Sequence, residues 1–196
     1  ITSVLNTHIG GNMIYLMRHG LDDENFIGGW SDIDLTSYGK KQIIDSTDFI
    51  IKNKLSIKKI ISSDVKRAVT TSKIVNKKLQ VPIYYTDKLR ELDKGTYTGR
   101  LKSTLCINDI SFIKNLTIYD KYPEGESMLE LYKRMKLFLS TLKENDVLLI
   151  THRGVINMFY YILNDIFVDM NKEKFNVEHG SIHEMNIDKK LIRRIY

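Results

Sequence analysis

The chain has 196 residues, 42% hydrophobic and 28% charged, which suits one domain with a sizeable core. Its single cysteine, Cys106, cannot close an intrachain disulfide, and no apolar run approaches the ~18 residues of a membrane-spanning helix. The formal charge of +6 (30 Lys and Arg against 24 Asp and Glu) rests on 22 lysines in short scattered groups, a pattern of solvated faces and not of a nucleic-acid stripe.

In chain order, residues 1–12 carry a Gly-Gly pair and no periodicity and read as a leader or disordered arm ahead of a domain over 13–196. They lack the basic n-region and continuous apolar run of a signal peptide, so a reducing, cytoplasmic setting is expected. Residues 14–17 predict a buried strand that ends at Arg18-His19-Gly20. A glycine-rich turn at Gly28-Gly29-Trp30 follows, and then Thr36 as the N-cap of a helix to about Lys54. Residues 56–61 predict a second strand, with Ser62-Ser63-Asp64 as turn and cap. The next helix places Ala68, Thr71, Ser72, Val75 and Leu79 on one face. Residues 81–85 predict a short strand, and the stretch from Arg100 to Tyr122 is ambiguous. Ser127-x-x-Glu130 forms a capping box for a helix that aligns Met128, Leu131, Tyr132, Met135, Leu139 and Leu142. A strand over 147–150 ends at Thr151-His152, Gly154 opens another helix to Leu163, and residues 181–187 and 191–196 predict two closing strands. Strands alternating with helices imply an α/β three-layer αβα sandwich with a central, mostly parallel sheet. His19 and His152 then both leave the carboxyl edge, where ligands bind in open α/β sheets.

Arg-His-Gly by itself is a weak signal; the ordered set is not. The set is Tyr15-Leu16-Met17-Arg18-His19-Gly20, Asp34-Leu35-Thr36-x-x-Gly39, Ser62-Ser63-Asp64-x-x-Arg67-Ala68-x-x-Thr71, Leu89-Arg90-Glu91-x-x-x-Gly95, Pro123-Glu124-Gly125-Glu126-Ser127 and Thr151-His152-Arg153-Gly154. From residue 14 to the last strand the chain resembles the histidine phosphatase superfamily, the phosphoglycerate mutase-like proteins. The resemblance implies that His19 is the nucleophile that becomes phosphohistidine, and that Arg18, Arg67, His152 and Asn25 contact the phosphoryl group. It makes Glu91 the proton donor to the leaving oxygen. Such chemistry needs a neutral imidazole, which flanking cations favour by lowering its pKa, and positive charge around the equatorial oxygens. A carboxyl group beside a phosphate dianion is pushed toward the protonated form an acid requires.

Two departures stand out. Leu21-Asp22 follows Gly20 where mutases usually read Glu-Ser, which replaces a hydroxyl near the phosphate with a carboxylate. Arg153 stands where a small residue is usual; it either points into the pocket and adds charge or, the favoured expectation, turns outward to a carboxylate at a helix N-terminus. His179 and His183 lie four apart, but Gly180-Ser181 between them argues against a helical metal pair, so neither metal nor organic cofactor is expected. Tyr97 and Tyr122 are further candidates for the substrate side. The expected activity is hydrolysis of a phosphate monoester of a small metabolite, with no nucleic-acid or membrane partner. A cofactor-dependent phosphoglycerate mutase and an idle phospho-ligand binding module are the rivals. Only 23 residues separate Gly99 from Pro123, a short cover that favours hydrolysis over phosphoryl transfer. Ribazole phosphate, sugar phosphates and a phosphoprotein all stay open as substrates.

Overall fold

A computed structural model describes residues 13–196; the leader expected over residues 1–12 lies outside the described residues. Six strands form one sheet: β1 (Ile14–Arg18), β2 (Lys59–Ser63), β3 (Ile83–Thr86), β4 (Val147–Thr151), β5 (Ile182–Asn186) and β6 (Leu191–Arg194), in the order β3-β2-β4-β1-β5-β6. β1 to β4 run parallel, while β5 pairs antiparallel with β1 and β6 with β5. The helices are α1 (Ser37–Lys52), α2 (Lys66–Leu79), α3 (Ile107–Asn115), α4 (Met128–Thr141) and α5 (Arg153–Leu163).

The central strands are apolar throughout because both of their faces are covered. Tyr15, Met17, Leu148 and Ile150 share an apolar layer with Ile43 and Ile50 of α1 and Ala68 and Val75 of α2. Ile14, Leu16, Val147 and Leu149 belong to the opposite layer, with Leu131 and Met135 of α4 and Val155 and Phe159 of α5. The period of two in the strands thus sorts side chains between two helical layers, giving the three-layer sandwich. Each fully buried large apolar side chain contributes about 1.5–3 kcal/mol relative to exposure, so the two layers dominate stability.

Three local expectations shift. β2 starts three residues later and runs two residues further than its apolar pattern suggests: Ser62 pairs with Ile150 and Ser63 with Thr86, so the sheet holds serines whose turn propensity pointed elsewhere. Asp64 does not cap α2. Its carboxylate takes two hydrogen bonds from Arg90 (2.6 and 2.5 Å), and Val65 stands at the cap position without a side-chain bond. Residues 100–122 are also more ordered than a short open cover. They fold into a 3-10 turn at Lys102–Thr104 and α3, anchored by Asp109, which accepts from Arg100, Tyr97 Oη and the Cys106 amide.

The sheet positions the site through one register. Arg18 lies opposite Thr151 in the parallel β1–β4 pair, so His19 and His152, each one residue further on, emerge side by side, and the His19 amide donates to the Thr151 carbonyl (3.0 Å). The turn after His19 packs directly on the start of α1. A Cβ on Gly20 would lie 2.4 Å from the Gly39 carbonyl oxygen, and one on Gly39 would lie 2.1 Å from that of Leu21. This contact ties the Arg-His-Gly motif to the Leu-Thr-x-x-Gly motif.

Candidate active site

His19 is buried, and its Nδ1 lies 2.8 Å from the Gly20 carbonyl oxygen. A carbonyl only accepts, so Nδ1 carries the proton and Nε2 keeps its lone pair. Arg67 Nε donates to that lone pair at 3.2 Å. Burial first, and then the charges of Arg67, His152 and Arg18, hold the His19 pKa well below the usual histidine value, with Asp22 opposing. The imidazole is therefore neutral and nucleophilic at pH 7. Arg67 is nearly inaccessible; its Nη2 donates to the Gly29 carbonyl (2.6 Å), so the glycine-rich turn sets the angle of the guanidinium. Arg18 is anchored from its far end, with Nη1 donating to the Val177 carbonyl (2.8 Å) and Nη2 to His179 Nε2 (2.6 Å). Burial, with Arg153 nearby, lowers its pKa to about 10, and its Nε is a buried donor without a partner among the described residues. His152 stacks obliquely on His19, ring centroids 5.1 Å apart, with Nε2 on Ser63 Oγ (2.9 Å) and Nδ1 buried and unpaired. Burial, then Arg67 and Arg18, also keeps His152 well below the usual histidine range.

Glu91 is set by three elements. Its Oε1 accepts from the Leu92 amide (2.9 Å) and its Oε2 from the Gly154 amide at the start of α5 (3.0 Å). Gly154 is small because Glu91 needs the space: a Cβ there would lie 2.1 Å from Glu91 Oε1. The Glu-x-x-x-Gly and Pro-x-Gly-Glu-Ser motifs interlock through Thr96 N to the Pro123 carbonyl (3.0 Å), Glu126 N to the Asp93 carbonyl (2.9 Å) and Asp93 N to Glu126 Oε2 (3.1 Å). Arg134 of α4 clamps this pair, binding both Glu126 oxygens and the carbonyls of Lys88, Arg90 and Glu91.

Arg18, His19, Arg67 and Glu91 line one cavity of about 320 Å³. Gly28 and Gly29, Lys94 and Lys102, Leu105 and Ile113 of the α3 segment, Tyr122, Arg153 and Lys172 complete much of its wall. The cavity holds a cationic floor around a neutral imidazole, with a carboxyl group beside it: the parts needed for phosphoryl transfer to nitrogen.

Residues 14–193 match the family model described as histidine phosphatase superfamily (branch 1). The chain belongs to that superfamily. Among its relatives, the probable phosphoglycerate mutase GpmB of Proteus mirabilis is 34% identical over 134 residues, 65% of this chain and 61% of that protein. The chain thus spans about three fifths of that relative's length. Its fold is also that of Bacillus stearothermophilus YhfR (TM-score 0.77, 23% identity, 94% of this chain and 96% of that one). Mycobacterial glucosyl-3-phosphoglycerate phosphatase shares it too (TM-score 0.73, 18% identity, 94% and 97%).

Arg18, His19, Arg67 and Glu91 line the cavity and His152 packs against His19, whereas Asn25 does not join them. Asn25 is exposed, and its Nδ2 donates to Asp23 Oδ1 (2.9 Å), while the cavity is lined by its neighbours Asp22, Asp23, Glu24 and Phe26. Arg153 does turn outward, to Glu173, although Glu173 sits in a turn and not at a helix N-terminus, and Arg153 still borders the cavity. Trp30 is partly exposed; its Nε1 donates to the Glu91 carbonyl (2.7 Å) and Arg90 lies over its ring. Tyr122 reaches the cavity, whereas the Tyr97 hydroxyl is spent on Asp109.

Asp22 stands near the phosphate position as its departure from the motif implied, whereas the motif spacing did not expose His179, Arg134 or Lys94 as site residues. Asp22 faces the cavity with Oδ2 3.4 Å from Arg67 Nε and Oδ1 3.7 Å from His179 Nε2. Burial works against its ionisation, but His179, His19 and Arg67 more than offset this and hold the carboxyl far below the usual range. His19, Asp22 and His179 present donor atoms within 4.8 Å of one another, a metal-like grouping among the described residues. Both Nε2 lone pairs, however, already face guanidinium N–H donors. His183 belongs elsewhere, bonded on β5 to Tyr160 Oη and Ser181 Oγ.

Proposed function

We propose that this chain hydrolyses phosphate monoesters of small metabolites through a phosphohistidine on His19. The observation that carries this is the His19 tautomer: Nδ1–H held by the Gly20 carbonyl, and Nε2 unprotonated beside Arg67 in the cavity. His19 Nε2 attacks phosphorus as the ester P–O bond breaks, and Glu91 gives its proton to the leaving oxygen. Arg67 Nε turns from His19 and Asp22 to the phosphoryl oxygens, joined by the unpaired Nε of Arg18. Water then attacks phosphorus, Glu91 takes its proton, the P–N bond breaks, and inorganic phosphate leaves with His19 restored. Positive charge comes from Arg18 and Arg67, so activity is expected to survive exhaustive chelation, and vanadate to inhibit as a trigonal mimic.

The test is His19→Ala, which should drop turnover of p-nitrophenyl phosphate to background while the fold persists. Acid quench of the native enzyme with labelled substrate should trap an acid-labile, base-stable phosphoenzyme. Full activity in His19→Ala would sink the mechanism.

A mutase reading is favoured by one observation: α3 and its flanks supply Leu105, Ile113 and Tyr122 as a wall that limits water entry. The mutase name belongs to the Proteus mirabilis relative. Supplying 3-phosphoglycerate with catalytic 2,3-bisphosphoglycerate decides between the two. Interconversion faster than phosphate release from the best substrate found would make the chain a mutase.

A further inference from the structure

The cavity has a second cluster of cations that the phosphohistidine chemistry does not use. Lys94 lies in the loop between Glu91 and Gly95, and Lys172 in the turn that follows α5. Both line the cavity that holds His19, and both line a smaller recess of about 80 Å³ that shares Glu91 and Arg153 with it. Among the described residues neither lysine has an ion-pair partner, in contrast to Arg153, which is neutralised by Glu173. The charges bearing on Lys94 are Lys172, Arg67 and Lys102, all repulsive, and Glu91, whose two oxygens are already held by backbone amides. Burial first, then Lys172, brings the Lys94 ammonium down to about 8. Lys172 is lowered by burial first and then by Arg153, with Glu91 and Glu173 opposing.

The recess is built and not a chance surface feature. Asn157 of α5 donates from Nδ2 to the Lys172 carbonyl (2.9 Å), which fixes the turn that carries the lysine. Its Oδ1 is buried in the same wall without a partner among the described residues, an acceptor left for a hydroxyl. Lys94 is half-buried and Lys172 exposed, and the carboxylates that bear on them, Glu91 and Glu173, are held by backbone amides and by Arg153, so an anion that joins the two lysines is favoured. The larger cavity also has acidic residues, but Asp22 is committed to Arg67 and Asp23 to Asn25, and neither bears on Lys94 or Lys172.

We propose that Lys94 and Lys172 form a second anion subsite beside the phosphoryl centre, so that the preferred substrates are phosphomonoesters carrying a further carboxylate or phosphate. This rests on the phosphatase reading above for its catalytic half only. The probes are matched pairs: O-phosphoserine against phosphoethanolamine, which differ by one carboxylate, and 3-phosphoglycerate against glycerol 3-phosphate. The carboxylated member should lead in kcat/KM by about ten-fold or more, the size of one charge-assisted hydrogen bond. Lys94→Met and Lys172→Met should draw that ratio toward one, while Lys172→Arg keeps it. Reading a ratio on one sample removes any loss common to both substrates, and thermal unfolding checks each variant. Titration calorimetry of each pair onto His19→Ala protein reads the same preference without turnover. Parity, or a lead for phosphoethanolamine, in an enzyme that turns over p-nitrophenyl phosphate would overturn the subsite and leave the phosphatase reading standing. Failure on p-nitrophenyl phosphate with a calorimetric preference for the carboxylated member would do the reverse.

Discussion

Gly154→Ala isolates the placement of Glu91 from every other feature of the site. The added Cβ would lie 2.1 Å from Glu91 Oε1, where ordinary contact begins at 3.4 Å, so the carboxyl must retreat by about 1 Å. The atom that moves is the end of a flexible side chain, so the retreat costs little stability. Alanine in the first turn of α5 is itself a better helix former by about 0.5–1 kcal/mol. Stability should therefore hold or rise while catalysis falls. A misplacement of about 1 Å can cost on the order of 10²-fold, and general acid catalysis supplies about 10²–10⁴-fold in all. An alkyl phosphate, whose leaving oxygen needs a proton, should lose about 10²-fold in kcat. p-Nitrophenyl phosphate, whose leaving group needs little help, should lose far less. The assay is a four-way cycle of wild type, Gly154→Ala, Glu91→Gln and the double variant on both substrates, with unfolding midpoints. If Gly154 acts through Glu91, the double variant is no slower than Glu91→Gln. A further 10²-fold loss in the Glu91→Gln background, or equal losses on both substrates, would refute the reasoning.

Asp22→Asn removes the carboxylate that competes with phosphate for Arg67, so inorganic phosphate and vanadate should inhibit about ten-fold more tightly; unchanged inhibition constants would mean that Asp22 does not oppose the ligand. Acid should destabilise the fold early: burial keeps His19 and His152 well below the usual histidine value and brings His183 to about 4, so below pH ~6.5 the unfolded chain binds protons that the folded chain refuses. Their contribution is complete above that pH and is lost as pH falls, by about 1.4 kcal/mol per pH unit per histidine. Denaturant midpoints between pH 7.5 and 5 measure this, and a His183→Gln variant with an unchanged slope would contradict it. Gly39→Ala forces a Cβ to 2.1 Å from the Leu21 carbonyl oxygen, where backbone and not a side-chain tip must yield, and should cost about 1–3 kcal/mol in chemical denaturation; a neutral effect would mean that the turn after His19 is free to shift.

The sequence by itself determined the layered architecture and the chemical core of the site. Apolar runs at β1 and β4 can be satisfied only with both faces covered, and the ordered motifs name Arg18, His19, Arg67, Glu91 and His152 because each falls at a strand end, a helix start or a glycine turn. Even its glycines are legible in hindsight, since Gly39 and Gly154 mark backbone or carboxylate approaches that no side chain would allow. What the tertiary structure alone decided is everything that depends on which distant segments meet. Asp22 reads as a carboxylate near the phosphate, but only the fold gives it Arg67 as a partner, and His179 reads as a stray histidine until it accepts from Arg18. Lys94 and Lys172, 78 residues apart, are two more solvated lysines in a lysine-rich chain until the sheet and α5 bring them to one recess. Asn25 shows the converse, a residue at the right spacing whose side chain is captured locally by Asp23. Periodicity and motif spacing encode local geometry, whereas charge, burial and pairing at a site are properties of neighbours in space, which a linear pattern does not carry.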